Sequence, residues 1–156
     1  MKKVIMTLGY IFVVLLLFLI AAIAFVAIKG RNLDKDSRAF VDSAIPAIIT
    51  TWDVREVEKR ASPEFSNAVD YDDLDELFGL LQRLGDLKEY TGSSGNANLT
   101  ISFRYGYEIT ADYVANAEFD EGSMEIEMAL ILHGGQWQIL DLTIIPAEYR
   151  IRNDII

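Results

Sequence analysis

The sequence predicts an α+β chain: an N-terminal transmembrane helix, then helices packed on a curved, cone-like four-stranded antiparallel β-meander. Three observations carry this. No residue from Val4 to Ile28 is charged. Between positions 36 and 85 apolar residues recur at helical spacing, and from Asn98 onward they alternate with polar ones. The chain therefore divides into a membrane anchor, 1-31, and an acidic α+β domain, 32-156.

As a helix, the apolar run reaches roughly 37 Å, enough to span a hydrocarbon core of about 30 Å with some tilt. A cleaved signal peptide is the alternative, since Lys2 and Lys3 precede the run and Ala22-Ile23-Ala24 has the small-x-small pattern of a cleavage site. Against cleavage, the run continues unbroken through Phe25, Val26, Ala27 and Ile28 and exceeds the usual h-region. A retained signal anchor is the expectation. Lys29, Arg31, Lys35 and Arg38 after the run favour a cytoplasmic domain by the positive-inside rule. Long domains translocate largely regardless of charge, however, and an anchor at the extreme N-terminus behaves as a signal anchor, so an extracytoplasmic domain is expected. The chain has no cysteine, which excludes disulfides and lipidation through one.

All 24 acidic residues lie beyond position 31, against ten of the 14 basic ones, so the domain carries ten minus 24, or −14. That field repels phosphate backbones and anionic lipid headgroups, so no nucleic acid partner is expected. The remaining chain is long enough for one core and too short for two.

Residues 36–51 are predicted helical, with Phe40, Val41, Ala44, Ile45, Ile48 and Ile49 forming an apolar stripe. Pro46 inside it should kink or interrupt the helix. Asp53 followed by Glu56 has the spacing of a capping box and opens a short helix over 54–60, ending before Ser62-Pro63. Leu74, Leu77, Phe78, Leu81 and Leu84 form a third amphipathic helix, with Gly85 at its C-terminal cap. Asp70, Asp72, Asp73, Asp75 and Glu76 crowd its start. Leu74 replaces an oxygen ligand there and no loop glycine follows, so the cluster reads as carboxylates complementing the helix dipole and no metal is expected.

Gly92 to Gly95 reads as a polar turn. Beyond Asn98, a turn at Tyr105-Gly106-Tyr107 sets Phe103 against Ile109 and Ile101 against Ala111. A Glu121-Gly122 turn then pairs Phe119 with Met124, Tyr113 with Leu130 and Ala111 with Leu132. A Gly134-Gly135 hairpin places Trp137 opposite Leu132 and Ile139 opposite Leu130. Strict alternation would turn Asp141 inward, so a β-bulge is predicted around Leu140-Asp141, setting Leu142 against Met128 and Ile144 against Ile126.

Helix, Ser-Pro, helix, then a meander ending in Gly134-Gly135-Gln136-Trp137-Gln138-Ile139-Leu140 resembles the nuclear transport factor 2-like (cystatin-like) superfamily over roughly residues 36 to 146. Within it the chain looks like the small exported bacterial domains of unknown function. Enzymes of that superfamily similar to ketosteroid isomerase place an Asp base and acidic donors inside the cone. Here the derived inner face of the strands has Tyr113 and Trp137 as its only polar-tipped groups and no carboxylate. The superfold hosts enzymes, binders and interaction modules alike, so activity must be argued from the site.

No catalytic residue and no cofactor are assigned. His133 is placed at a hairpin end on the outer face, and neither a G-x-S-x-G context nor a phosphate loop is present. Trp52, Phe65, Tyr113 and Trp137 are the candidates to line a pocket, core packing being the alternative. Val114, Ala129, Ile131 and Leu140 become neighbours on the outer face and are the candidates for an interface, the alternative being coverage by the tail Tyr149 to Ile156. The expected function is a membrane-tethered, non-enzymatic binding or assembly module of the bacterial cell envelope. Its partner would be an envelope protein, a second copy in a homodimer, or a small apolar ligand. A ketosteroid isomerase-like enzyme and a purely structural homo-oligomeric scaffold are the alternatives.

Overall fold

A computed structural model describes residues 2–102 and 106–146, and within these the side chains of 2–13, 22–31, 99–102 and 107 are not described. The chain divides into two compact units, Met1–Leu33 and Asp34–Ile156. The architecture is α+β. Helices α1 (Lys2–Thr51), α2 (Val54–Glu58), α3 (Pro63–Ala68) and α4 (Tyr71–Leu81), then a 3-10 turn (Gln82–Leu84), precede strands β1 (Leu87–Ser102), β2 (Gly106–Phe119), β3 (Gly122–His133) and β4 (Gln136–Pro146). The strands form an open antiparallel sheet in the order β1-β2-β3-β4.

In the first unit, the apolar run Val4 to Ile28 enters the description of side chains with residues 14–21 alone. Among the described residues no helix is long and apolar enough to cross a membrane.

In the second unit, Pro46 does not interrupt α1, contrary to expectation: the helix runs through it to Thr51. A proline inside a helix costs about 3 kcal/mol. Val41, Ala44, Ile45, Ile48 and Ile49 on the same stripe are 0–1% exposed. Burying a large aliphatic side chain contributes about 1.5–3 kcal/mol, so four of them outweigh one proline. Asp53 caps α2, but the reciprocal box does not form. Its carboxylate accepts from the backbone N–H of Arg55, while the Glu56 carboxylate turns to Lys59 and Arg60. The sequence reading missed α3. Ser62 caps it by accepting from the Phe65 N–H at 3.1 Å, Pro63 sits in its first turn, and Phe65 is its one buried residue. With a single inward position, a six-residue helix shows no periodicity.

Strand β1 begins at Leu87 and takes in Gly92 to Gly95, which the sequence assigned to a turn. Two register shifts, between Leu87 and Glu89 and between Tyr90 and Ser93, break its alternation. Gly92 lies in the second with φ of 84°. Leu99 faces Ile109 and Ile101 faces Tyr107, four residues from the predicted pairing. Phe103, the predicted partner of Ile109, lies outside the described residues. Between β2 and β3 the turn is one residue earlier than predicted, pairing Phe119 with Gly122, Tyr113 with Met128 and Ala111 with Leu130. A slip of two residues keeps the faces, and so most of the expected core survives it: Ala111, Tyr113, Ala115, Ala117, Phe119, Met124, Ile126, Met128 and Leu130 are buried, while Ile109 and Leu132 are half-buried.

The β3–β4 pairing is as predicted. Trp137 faces Leu132, Ile139 faces Leu130, Leu142 faces Met128 and Ile144 faces Ile126. The register shifts between Ala129 and Leu130, leaving Leu140 as the extra residue of the bulge.

Candidate functional site

Strand β1 is an edge of the sheet, and the backbone groups on its open side need partners. Three residues one helical turn apart on α1 supply them. Asp34 accepts from the Ala97 N–H at 2.8 Å, and Arg38 donates to the carbonyls of Ser93 at 3.0 Å and Gly95 at 3.1 Å. Asp42 accepts from the Ser93 N–H at 2.9 Å and from the Tyr90 hydroxyl at 2.8 Å. Partial burial, and then the adjacent Asp42 carboxylate, push the Tyr90 phenol above its ordinary range. Beneath this row the Tyr113 hydroxyl meets Ser37 Oγ at 2.9 Å and donates to the Asp34 carbonyl at 3.1 Å, and Arg38 lies 5.7 Å from the Tyr113 ring centre. Gly95 sits opposite Tyr113. A Cβ on Gly95 would stand 1.9 Å from the Asp112 carbonyl oxygen and 2.8 Å from the Tyr113 ring, so only glycine permits this approach.

The four pocket candidates all belong to the packed interior. Trp52, Phe65, Tyr113 and Trp137 are 5, 3, 1 and 9% exposed. Among the described residues, ring contacts join Trp52 to Phe78 at 5.4 Å and Phe119 at 5.8 Å, and Tyr113 to Arg38, rather than the four to one another. Trp52 ends α1 with a φ of 49°, unusual for a residue with a side chain, and its indole N–H has no hydrogen-bond partner among the described residues.

The opposite face of the sheet carries an open groove of about 390 Å³, crossing all four strands from Ser94 and Gly95 through Asp112, Val114, Glu127 and Ala129 to Asp141. Two interface candidates, Val114 and Ala129, line it, and Val114 is 37% exposed. The other two do not. Leu140 is the half-buried bulge residue, and Ile131, although its register puts it on the outer face, is 2% exposed.

Sequence reasoning missed the groove's three carboxylates. In the observed register Asp112, Ala129 and Asp141 form one cross-strand row and Val114, Glu127 and Thr143 the next. The predicted register set Asp112 against Ile131 and dispersed that row. Asp112 takes the Asn98 amide at 3.3 Å and Asp141 the Thr143 hydroxyl at 3.3 Å. Among the described residues, none of the three carboxylates forms an ion pair.

Asp70, His133, Glu64 and Asp120 are engaged in structure. Asp70 caps α4 by accepting from the Asp72 N–H. Among the described residues no group of three or more His, Cys, Asp or Glu could hold a metal ion. His133 pairs in register with Gln136, while its ring meets Gln138 at 3.2 Å and lies 3.7 Å from Glu64. The Glu64 carboxyl is held below its ordinary range by a backbone N–H at the start of α3 and by Ser62, with His133 contributing least. Asp120 is likewise lowered, by the Asp86 N–H first and Lys88 second. Comparison with protein-family models, curated proteins and solved structures finds no match to this chain.

Proposed function

We propose that this protein is a membrane-tethered, non-enzymatic binding or assembly module of the bacterial cell envelope. Val4 to Ile28 would anchor it in the inner membrane, with the acidic domain outside the cytoplasm. One observation carries the tether. Leu15, Leu16, Leu17, Phe18, Leu19 and Ile20 are six consecutive large apolar residues of α1 and are 46–75% exposed. Six helical positions at 100° each pass fully around the axis, so the helix presents apolar surface on every side. A helix apolar all round calls for an apolar surround, and the sequence continues that character for ten residues before residue 14 and seven after residue 21.

Two further observations favour binding over catalysis. The aromatic residues that would line a superfamily-type cone pocket are packed against neighbours, and an open groove lies on the other face of the sheet. On this reading the domain belongs to the nuclear transport factor 2-like superfamily by architecture and offers a partner its outer sheet face.

Membrane fractionation with intact-mass analysis tests the tether. The full chain should resist alkaline carbonate extraction, and a mature chain beginning at Phe25 would refute retention of the anchor. Protease added to spheroplasts should digest the domain; protection until the membrane is lysed would overturn the topology.

A further inference from the structure

We propose that the outer-face groove seats an extended segment of a partner protein that presents lysine or arginine at every second position. This rests on the reading of the domain as a binding module and adds the chemistry of its partner. The lining of the groove combines apolar Val114 on β2 and Ala129 on β3 with Asp112, Glu127 and Asp141 from three different strands. Neighbouring strands lie about 4.8 Å apart, so Asp112 and Asp141, two strands apart on one row, stand about 10 Å apart across Ala129. Glu127 lies two residues along β3 from Ala129, about 6.8 Å away.

That spacing selects among ligands. Among the described residues no group of three carboxylates could hold a metal ion, these included. An extended peptide repeats its same-side residues every 6.8 Å or so, which matches the spacing along the strand. Long cationic side chains reach the outer carboxylates while their methylene stems lie over Val114 and Ala129. A second copy of this domain fits the groove poorly, because its own outer face would bring the same carboxylates against these. An anionic partner is repelled outright.

The test uses the full chain in non-ionic detergent and a fluorescein-labelled peptide of alternating lysine and alanine, with binding read by anisotropy. Neutralising the groove with Asp112→Asn, Glu127→Gln and Asp141→Asn together should weaken binding about tenfold, since exposed ion pairs contribute modestly each. The matched control, Asp72→Asn, Asp73→Asn and Asp75→Asn, removes the same charge from α4 and should change binding less than twofold. Ala129→Trp fills the groove without altering charge and should weaken binding as strongly as the groove neutralisation. An equal loss in the α4 control, full binding by Ala129→Trp, or no binding by the unmodified chain overturns the proposal. So does displacement of the peptide by spermine at equal charge concentration, which would make the groove a small-cation site. None of these results bears on fractionation, so failure here leaves the tether and topology to their own tests.

Discussion

Tyr113 joins the sheet to α1 through one carbonyl, and removing its hydroxyl tests that join. Tyr113 is 1% exposed, and its hydroxyl and that of Ser37 both reach the Asp34 carbonyl, at 3.1 and 3.2 Å, while lying 2.9 Å from each other. Two hydroxyl hydrogens thus serve three contacts. Tyr113→Phe keeps the ring against Gly95 and Arg38 and removes one donor. A net hydrogen bond contributes about 1 kcal/mol, and the Ser37 oxygen loses a buried neighbour, so the expected cost is about 1–2 kcal/mol. Ser37→Ala should cost a similar amount. Because the two share an acceptor, the double variant should fall short of the sum by about 0.5–1 kcal/mol. Urea unfolding of the whole chain followed by the fluorescence of Trp52 and Trp137 reads this as a midpoint shift on the order of 0.5–1 M. A Tyr113→Phe cost below about 0.3 kcal/mol, or strict additivity, would refute the shared carbonyl as a stabilising join.

Gly95→Ala forces a Cβ into the Asp112 carbonyl and the Tyr113 ring and should destabilise by at least 1–3 kcal/mol, the range of overpacked cores, read in the same urea titration. Ile131→Lys buries an unpaired ammonium at a site 2% exposed, so it should lower the melting temperature sharply, on the scale of several kcal/mol; unchanged melting would mean that the site opens to solvent. Asp120 titrates below the usual aspartate value in the folded state because the Asp86 N–H and Lys88 favour its ionised form. Its contribution is therefore present above the unfolded aspartate value and is lost as pH falls through the lower folded one. Asp120→Asn should flatten the acid limb of the stability profile below about pH 4, and carboxyl-carbon NMR should place the Asp120 midpoint beneath that of a free aspartate.

The last hairpin was legible because glycines at 134 and 135 fix its turn and an inward Asp141 forces the bulge. The second hairpin's turn was misplaced by one residue, and its register by two, because Asp120, Glu121 and Gly122 all suit a turn. Turn chemistry alone did not choose among them, while the apolar alternation is blind to an even slip. That blindness spared the core and obscured the groove: Asp112, Ala129 and Asp141 form a row only in the true register. The first half of β1 was illegible because Gly92, Ser93, Ser94 and Gly95 carry no hydrophobic pattern. They are strand because α1 and β2 hold their backbone from either side. Pro46 was over-weighted, since a propensity argument prices the missing donor and omits the buried stripe around it.

The row Asp34, Arg38, Asp42 against Ala97, Gly95 and Ser93 has a consequence for length variation. Four residues of helix advance about 6.0 Å and two residues of strand about 6.7 Å. The two run as nearly commensurate rulers in opposite directions, and over two steps they drift apart by only about 1.4 Å. An insertion of one residue between 34 and 42 would rotate the following side chains by about 100° and turn Asp42 off the strand. A one-residue insertion between 93 and 97 would swap the outward backbone groups for those already committed to β2. Both segments should therefore resist any change in length, whereas the sequence around Gly92, already irregular, can absorb one. The same gauge closes β1 to a further strand from Ser93 to Ala97, where α1 already holds its outward backbone groups.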